Sequence, residues 1–312
     1  MMTGNILVVG SINVDYVIHT PRLPKLGETL TGSDFAMNFG GKGANQAVAL
    51  AKAGCHVKML GAVGHDQAGT LALENLTQSG VDTTAVLRTS LPTGAAMITV
   101  CGGDNHIILD IGANGAVTPD LISQNRDLFV WADILVMQYE IPVESVIAAA
   151  KLAHELGKTV VLNPAPVKEV DTDTLFPYVD LLIPNEFEAE LITGIKQETD
   201  GDAEKAIHAL QDLGCANAIV TLGSRGCAFA NEGKIAFMGI YPVKAVDTTA
   251  AGDSFIGGLC ASLCGGAALP DAISYASATS AITVSRAGAA VSIPTAEEVM
   301  GFLNSHSPLQ TR

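Results

Sequence analysis

One stretch of the sequence combines a turn that could bind phosphate with a carboxylate that could accept a proton. The stretch VDTTAAGDSFIGG covers residues 246–258, and its small residues Ala250, Ala251 and Gly252 open an apolar helix directly before Asp253. The first N–H groups of a helix lack partners within the helix and can bind phosphate oxygens. A carboxylate there repels phosphate, but it can take the proton of an attacking hydroxyl group. The stretch predicts phosphoryl transfer with Asp253 as the base, although stabilisation at the positive end of a helix explains the same residue.

A second glycine-rich stretch precedes a predicted helix and could hold a small polar ligand. The segment FGGKGANQAVALAKAG (39–54) has neither the GKS or GKT of a Walker loop nor the G-x-G-x-x-G of a dinucleotide loop. Its glycines, Gly41 and Gly43 among them, allow close approach to the backbone, while Lys42 and Asn45 offer donors. The segment favours a site for hydroxyl groups and argues against a nicotinamide-dependent oxidoreductase. A tight turn with a solvated lysine would have the same sequence.

Polar side chains also follow the ends of predicted strands, where α/β folds bind ligands. Asn13 and Asp15 in SINVD project to the same side of an extended chain, and Glu140 follows the strand in LVMQYEIP. In PNEFEAE, Asn185 and Glu188 have the spacing of a capping box, and Glu188 could also organise water around Mg²⁺. Each of these patterns has a local structural explanation as well as a functional one.

The elements that must position these residues alternate between strand and helix. The predicted strands are 5–10, 56–60, 133–137, 159–163, 180–184 and 217–223, and the predicted helices are 43–53, 67–79, 143–156 and 202–213. Two consecutive helices are expected from Ala250 to about Val284. This alternation predicts an α/β fold with a doubly wound, mostly parallel sheet. Residues 12–39 and 84–111 predict antiparallel strands outside that sheet, so we expect a single domain over 1–312 with a small inserted β-sheet lid.

Composition excludes several classes of protein. The chain has 312 residues, 48% of them hydrophobic and 16% charged, which is typical of an ordered protein. Its net charge of −15 argues against a surface for nucleic acid, and no apolar run is long enough to predict a membrane span. The six cysteines include no CxxC pair, which favours a reducing cytoplasm.

Together these motifs resemble the ribokinases of the PfkB carbohydrate kinase family. Its two signatures are similar to residues 40–54 and 247–253, and GSINVD, GANGAVTP, NPAP, PNEFEAELITG, TLGSRG and SRAGAAVSIP complete the likeness over nearly the whole chain. The resemblance implies a ribokinase-like fold and transfer of the γ-phosphate of ATP to the 5-hydroxyl group of D-ribose. It also implies Mg²⁺, an activating monovalent cation, usually K⁺, and a homodimer that forms through the lid.

The resemblance further implies roles for individual residues. The sugar would be held by Asn13, Asp15, Gly41, Lys42, Asn45, Glu140 and Asp253. Catalysis would use Asp253 as the base, with an anion hole from the backbone N–H groups of Ala250, Ala251, Gly252 and Asp253. The nucleotide would contact Asn185, Glu188, Thr221, Gly223, Ser224, Arg225, Gly226, Gly252 and Ser277, with Glu188 also holding Mg²⁺ through water. The monovalent cation would be bound, largely through carbonyl groups, by Asp247, Thr249, Thr283, Arg286, Gly288 and Ser292.

Three positions depart from the family pattern. Ser277 stands where many relatives place an asparagine beside the adenine, and Ser254 replaces a commoner threonine. Asp110 in HIILDIGAN is expected close to the covered sugar, where it could change which polyol is preferred. A kinase for another furanose or a nucleoside (2-deoxyribose, fructose, adenosine or pseudouridine) therefore remains open. A sugar-binding protein without catalytic activity is the alternative from a different class.

Overall fold

The computed structural model describes residues 4–102 and 104–309. In these ranges the strands are β1 (Asn5–Val9), β2 (Asn13–Thr20), β3 (Ser33–Gly40), β4 (His56–Leu60), β5 (Ala62–Gly64), β6 (Val81–Asp82), β7 (Leu87–Thr89), β8 (Gly94–Cys101), β9 (Asp104–Asp110), β10 (Ile134–Gln138), β11 (Thr159–Asn163), β12 (Leu181–Leu182), β13 (Ile219–Thr221), β14 (Cys227–Asn231) and β15 (Lys234–Met238). The α-helices are α1 (Lys42–Lys52), α2 (Gln67–Gln78), α3 (Pro119–Gln124), α4 (Arg126–Trp131), α5 (Val143–Glu155), α6 (Thr172–Leu175), α7 (Glu186–Thr193), α8 (Asp200–Asp212), α9 (Ala251–Cys264), α10 (Leu269–Val284) and α11 (Ala296–Leu303).

Six parallel strands form the central sheet, in the order β6-β4-β1-β10-β11-β12. Parallel bridges from Leu182 to Ala218 and from Asn185 to Thr221 extend it toward β13, which continues through β14 and β15 as antiparallel neighbours. Nearly every residue of β1 and β10 is buried, as expected for strands covered by helices on both faces. The predicted doubly wound sheet is confirmed. Strand order reverses between β1 and β10, and ligands of such folds bind at the C-terminal ends of the strands there.

The predicted helices are confirmed, with shifts of at most two residues at their ends. The four helices predicted at 43–53, 67–79, 143–156 and 202–213 are α1, α2, α5 and α8, and the two consecutive helices near the C-terminus are α9 and α10. The predicted strand 180–184 is shorter in the structure, because Pro184 has no N–H with which to continue a ladder. No helix in the described ranges is both long and apolar enough to cross a membrane.

The segments predicted to form the lid contain a separate four-stranded sheet, here called the second sheet, in the order β3-β2-β8-β9. β2 pairs with β3 and β8 with β9 in antiparallel fashion, as predicted, but β2 and β8 are parallel. The expectation of a wholly antiparallel lid is wrong at its centre, because alternation of apolar and polar residues says nothing about the direction of the neighbouring strand. β7, although it lies within 84–111, pairs with β5 instead.

The register of the second sheet divides its side chains between two faces. One row, on what we call the inner face, consists of Asp15, Ala96 and Leu109. The adjacent row, on the outer face, consists of Tyr16, Met97 and Ile108. Successive residues of a strand point to opposite sides, so the two rows cannot share a ligand.

Asp110 belongs to the outer face. It is paired with Ala95, which is paired in turn with Val14, one residue before Asp15. Asp110 is exposed, and its Oδ1 accepts a hydrogen bond from the N–H of Gly112 at 3.1 Å. The carboxylate that was expected close to the covered sugar therefore lies on the face opposite Asp15, because successive residues of a strand point to opposite sides.

The close packing of α1 against α9 makes a first prediction. A methyl group on Gly257 of α9 would lie 2.3 Å from Cβ of Ala49 in α1, whereas one on Gly301 of α11 would meet nothing within 4 Å. Gly257→Ala should lower the free energy of unfolding by about 1–3 kcal/mol, because the two helices must separate. Gly301→Ala, the matched control, should raise it by about 0.5–1 kcal/mol. Denaturant unfolding measures both, and equal effects would contradict the packing described here.

Candidate active site

The carboxylate of Asp253 is bound by two neighbouring amides of α1. Asn45 Nδ2 donates to Asp253 Oδ2 at 3.0 Å, and Gln46 Nε2 donates to Asp253 Oδ1 at 3.0 Å. Asp253 is only 7% exposed and Asn45 only 6%. The tertiary structure therefore joins the two glycine-containing stretches that the sequence analysis singled out. Because each carboxylate oxygen has one amide donor, the plane of the carboxylate is held in one orientation.

The turn in front of Asp253 leaves backbone N–H groups without hydrogen-bond partners among the described residues. Ala250 precedes α9 in the left-handed conformation, with φ 60° and ψ 10°, which is strained for a residue with a side chain. Ala251 N–H already donates to Thr248 O at 3.2 Å, so the expected four-amide hole lacks that donor. Within the described residues, the N–H groups of Gly252 and Asp253 have no partner, and a methyl group on Gly252 would meet nothing within 4 Å. These two N–H groups can bind an anion.

Asp15 lies near the start of β2, shortly after β1 ends, and its pKa is raised to about 6. Burial is the largest cause, followed by the negative charges of Glu140 and Asp253. Asn13, two residues earlier, lies on the same side of the strand, as predicted from the spacing, and its Oδ1 accepts from Asn114 Nδ2 at 2.7 Å. This part of the site therefore gathers carboxylate and amide groups with little water around them.

Glu140 and Lys42 connect the ends of β1 and β10 to the beginning of α1. Glu140 Oε2 accepts from Ser11 Oγ at 2.5 Å and from the backbone N–H of Lys42 at 2.9 Å. Gly41 allows this turn, because its φ of +89° is unfavourable for residues with a side chain. Burial by itself lowers the pKa of the Lys42 ammonium group, but the charges of Asp253, Glu140 and Glu188 outweigh it and raise the pKa. Lys42 is therefore a cation among carboxylates.

Asn185 and Glu188 form the capping box expected from their spacing. Glu188 Oε2 accepts from Asn185 N–H at 2.8 Å, and Asn185 Oδ1 accepts from Glu188 N–H at 2.8 Å. Burial raises the pKa of Glu188, while the bond from Asn185 and the charge of Lys42 lower it and the charge of Asp253 raises it further. The local role is thus present, and the same carboxylate also belongs to the charge cluster around Lys42.

The segment Thr221–Gly226 forms the predicted turn between β13 and β14. Thr221 N–H donates to Pro184 O at 3.0 Å, which places the turn beside the start of α7. Arg225 points away from the turn, because its guanidinium group binds Gln197 O and lies 3.3 Å from Glu186 and 3.8 Å from Asp200. Gly223 and Ser224 complete the turn. Arg225 therefore joins the turn to α7 and α8 through its side chain.

The predicted cation ligands lie around the loop that follows α10. Asp247 Oδ1 accepts from Thr249 N–H at 2.9 Å and Oγ1 at 2.6 Å, while Asp247 Oδ2 accepts from Gly288 N–H at 3.0 Å. Burial raises the pKa of Asp247, but these hydrogen bonds from Thr249 and Gly288 outweigh it and lower the pKa. Asp247, Thr249 and Gly288 are thus brought together.

The other three predicted cation ligands use their side chains elsewhere. Thr283 Oγ1 donates to Thr279 O at 2.9 Å, Ser292 Oγ donates to Ala289 O at 2.7 Å, and Arg286 lies 2.6 Å from Glu298. Their backbone carbonyl groups, through which most of the cation binding was expected, do not depend on these side-chain contacts.

Ser277 lies on α10, one turn before Ser280. Ser280 Oγ donates to Ala251 O at 3.1 Å, so this side of α10 faces the beginning of α9. Ser277 itself is half-buried. Ser277 is therefore one helical turn away from the residue of α10 that contacts the beginning of α9.

Sequence reasoning missed the amides that surround these groups. Asn114 Oδ1 accepts from Ile12 N–H at 2.9 Å, and Gln138 Nε2 donates to Gln46 Oε1 at 2.6 Å. Asn114, Gln138 and Gln46 are at most 1% exposed. These amides lie within strands and helices whose other residues are mostly apolar. That position was the available signal, because a buried amide needs a hydrogen-bond partner.

Comparisons with known proteins point to one family. A family model described as pfkB family carbohydrate kinase matches residues 3–296. The ribokinase of Haemophilus influenzae is 39% identical over 304 residues, covering 97% of this chain and 99% of its own length. The deoxyribokinase of Salmonella typhi is 37% identical over 256 residues, covering 81% of this chain and 83% of its own length. The structure of Arabidopsis thaliana ribokinase complexed with ribose and ATP has a TM-score of 0.90 and 33% identity, with coverage of 96% and 99%.

The raised pKa of Asp15 predicts a pH-dependent stability. A carboxyl group whose pKa is about 6 in the folded chain, against an ordinary 3.8, stabilises the fold most below pH 3.8. This contribution is lost as the pH rises through 6. Asp15→Asn should therefore raise the free energy of unfolding at pH 8 by about 1–3 kcal/mol, and by clearly less at pH 5. Asp110→Asn, on the exposed outer face, is the control and should change neither value. Denaturant unfolding at the two pH values measures this, and an equal gain at both would refute the burial of Asp15 as its cause.

Proposed function

The chain belongs to the pfkB family of carbohydrate kinases, and we propose that it transfers the γ-phosphate of ATP to the 5-hydroxyl group of D-ribose. Membership of the family makes it an ATP-dependent carbohydrate kinase. One observation carries the proposal further. A buried carboxylate, Asp253, lies in a helix turn whose Gly252 and Asp253 N–H groups have no partner within the described residues. This arrangement offers a proton acceptor and an anion site within one turn of helix.

In the proposed reaction, Asp253 accepts the proton of the attacking hydroxyl group as the new oxygen–phosphorus bond forms. The bond from the γ-phosphorus to the bridging oxygen breaks at the same time, and ADP leaves with that electron pair. The N–H groups of Gly252 and Asp253 stabilise the charge on the phosphoryl oxygens, and the positive end of α9 adds to this effect. The carboxylate is tolerated next to phosphate because its partner is the hydroxyl group.

Recognition of the sugar is proposed for the groups at the ends of β1 and β10. Asn45 Oδ1 is buried and has no partner among the described residues, so it can accept from a sugar hydroxyl group. Asp15 and Glu140 can accept hydrogen bonds from further hydroxyl groups, while Lys42 can donate hydrogen bonds to them. Asn13 is held by Asn114 and has its second carbonyl lone pair left for a ligand. These acceptors and donors suit a polyhydroxylated sugar.

Nucleotide and Mg²⁺ are proposed to bind between α9 and the Thr221–Gly226 turn. Asn185 N–H binds only Oε2 of Glu188, so Oε1 is an oxygen ligand of the kind that Mg²⁺ prefers. Within the described residues no group of three or more His, Cys, Asp or Glu side chains could hold a metal ion, which favours contact through water. When bound, Mg²⁺ would neutralise charge on the phosphate groups. Arg225 would order the turn and leave its backbone to the nucleotide.

A monovalent cation such as K⁺ is proposed for the loop that holds Asp247 and Gly288. The donors available there are carbonyl groups, the Thr249 hydroxyl group and one carboxylate, and all are oxygen atoms. The ionised Asp247 carboxylate supplies negative charge next to the turn before α9. A cation here would act on the position of that turn, since Ala250 and Asp247 are three residues apart.

The second sheet is proposed to be a lid over the sugar on its inner face and a dimer contact on its outer face. The inner row contains Asp15 and the apolar side chains Ala96 and Leu109, which can cover a sugar and exclude water. On the outer face, Phe35 is 67% exposed and Ile108 is 74% exposed. Such an apolar patch favours a second copy of the chain over solvent.

The substrate is tested by measuring ADP release with ATP, Mg²⁺ and K⁺ on a panel of acceptors. D-Ribose, 2-deoxyribose, fructose, adenosine and pseudouridine cover the alternatives. A preference for D-ribose is expected. The likeness to the Salmonella typhi deoxyribokinase makes 2-deoxyribose the second candidate, and a preference for it would keep the mechanism and change the substrate. Binding without turnover on every acceptor would favour a non-catalytic sugar-binding protein.

The role of Asp253 predicts a specific loss of turnover. Asp253→Asn should lower kcat by about 10²-fold or more, because an amide cannot accept the proton, while the Kd for ATP stays nearly unchanged. Asp271→Asn is the matched control, because Asp271 also lies in the first turn of a helix, α10, but is exposed. It should leave kcat unchanged. Near-normal turnover in Asp253→Asn would rule out the base assignment.

The dimer proposal predicts different effects for two adjacent residues of β9. Ile108→Lys places a charge on the outer face and should convert the protein to a 32.1 kDa monomer in light scattering. Ile107→Lys, on the inner face, should leave the dimer intact, although Ile107 is also exposed (55%). A monomeric wild-type protein, or equal dissociation by both variants, would exclude this interface.

A further inference from the structure

Two buried glutamines form a chain that ends on Asp253. Gln138 Nε2 donates to Gln46 Oε1 at 2.6 Å, and Gln46 Nε2 donates to Asp253 Oδ1 at 3.0 Å. Both glutamines are 0% exposed, so neither can touch a substrate that enters from solvent. They come from different parts of the fold, because Gln138 ends β10 and Gln46 lies in α1. The chain therefore connects the central sheet to the carboxylate through α1.

The carboxylate determines the direction of every hydrogen bond in this chain. An ionised carboxylate only accepts, so Gln46 must turn its NH₂ group toward Asp253. Its oxygen then faces Gln138, which must donate. Gln46 Nε2 also donates to Asn163 Oδ1 at 3.4 Å, and Asn163 Nδ2 donates to Ile183 O at 2.9 Å. All polar atoms of Gln46 have partners, so its amide cannot rotate without losing a buried hydrogen bond.

We propose that Gln46 and Gln138 are positioning residues, which hold the Asp253 carboxylate in the orientation that accepts the hydroxyl proton. The inference rests on the proposed function of Asp253 as the base. Gln46 binds Oδ1 and Asn45 binds Oδ2, so the remaining lone pairs point in fixed directions. Gln138 fixes Gln46 in turn, and so it acts on Asp253 only through Gln46.

A positioning chain is needed because Asp253 has a competing arrangement close by. A carboxylate in the first turn of a helix is attracted to the free N–H groups of that turn, as in helix capping. If the Asp253 carboxylate turned toward the backbone N–H groups of Gly252 and Asp253, it would leave the hydroxyl group and occupy the anion site. The two donors from α1 keep the carboxylate away from these N–H groups, so that it stays beside the hydroxyl group and the anion site stays free. Gln46 thus protects the base and the anion site together.

The test is a double-mutant cycle on turnover, with Gln46→Met as the apolar replacement of similar size. In the wild-type background we expect kcat to fall by about 10- to 100-fold, the scale of a misplaced reacting group. The KM for the sugar should change by less than about threefold, since Gln46 does not contact it. In the Asp253→Asn background Gln46→Met should have almost no further effect on kcat, because it acts through the missing carboxylate.

Two further variants separate positioning from a loss of general stability. Gln138→Met should lower kcat by a smaller factor, about 3- to 10-fold, because Gln46 keeps its contact with Asp253. Gln197→Met is the matched control, since Gln197 is buried and its side chain donates only to Ile195 O in its own loop. It should leave kcat within about twofold.

The outcomes distinguish this inference from the proposed function. If the wild type turns over and the kcat of Gln46→Met is within twofold of the wild-type kcat, the positioning role is overturned. The proposed kinase reaction is then unaffected. Equal losses in the wild-type and Asp253→Asn backgrounds would overturn it as well. If Gln46→Met does not fold, Gln138→Met decides by the same two comparisons. A wild type without turnover on any acceptor would overturn the proposed function, and the positioning role with it.

Discussion

The burial of one carboxylate sets the requirements that the surrounding structure meets. A charged group removed from water must be paired, and Asp253 finds its partners on α1 rather than on its own helix. α1 and α9 must therefore pack at close range, which Gly257 allows. Both helices share one hydrophobic core with β1 and β4, so the central sheet supplies the rigid support on which they meet. The position of a single carboxylate thus depends on elements from both ends of the chain.

The electrostatics of the site follow from this arrangement. The charges of Glu140, Glu188 and Asp253 act on one cation, Lys42, and Asp15 is close to Glu140 and Asp253. The pKa values of Asp15, Glu188 and Lys42 are all raised. Carboxylates therefore outnumber the cation in a place with little water. Such a site is unfavourable when empty and complementary to hydroxyl donors and to cations, which is what a kinase for a polyol with a metal-bound nucleotide requires.

The second sheet has two chemically different faces because the side chains of its strands alternate. The inner row places the carboxylate of Asp15 beside the apolar side chains of Ala96 and Leu109, while the outer row of Tyr16, Met97 and Ile108 includes exposed apolar side chains. A single-residue change of register would exchange the two rows. The parallel pairing of β2 with β8 joins the two hairpins, so that they form one sheet.

The sequence by itself determined the alternation of strands and helices, the doubly wound sheet and the two glycine-containing stretches, because these depend on local periodicity and turn chemistry. It also contained the capping box of Asn185 and Glu188, since both partners lie within one helical turn. Only the tertiary structure decided that Gln46 and Gln138 meet Asp253, that Arg225 turns away toward Glu186, and that Asp110 lies opposite Asp15. Each of these depends on residues far apart in the chain or on which strand is the neighbour, and no local pattern encodes either. The orientation of the Asp253 carboxylate is therefore a property of the folded chain.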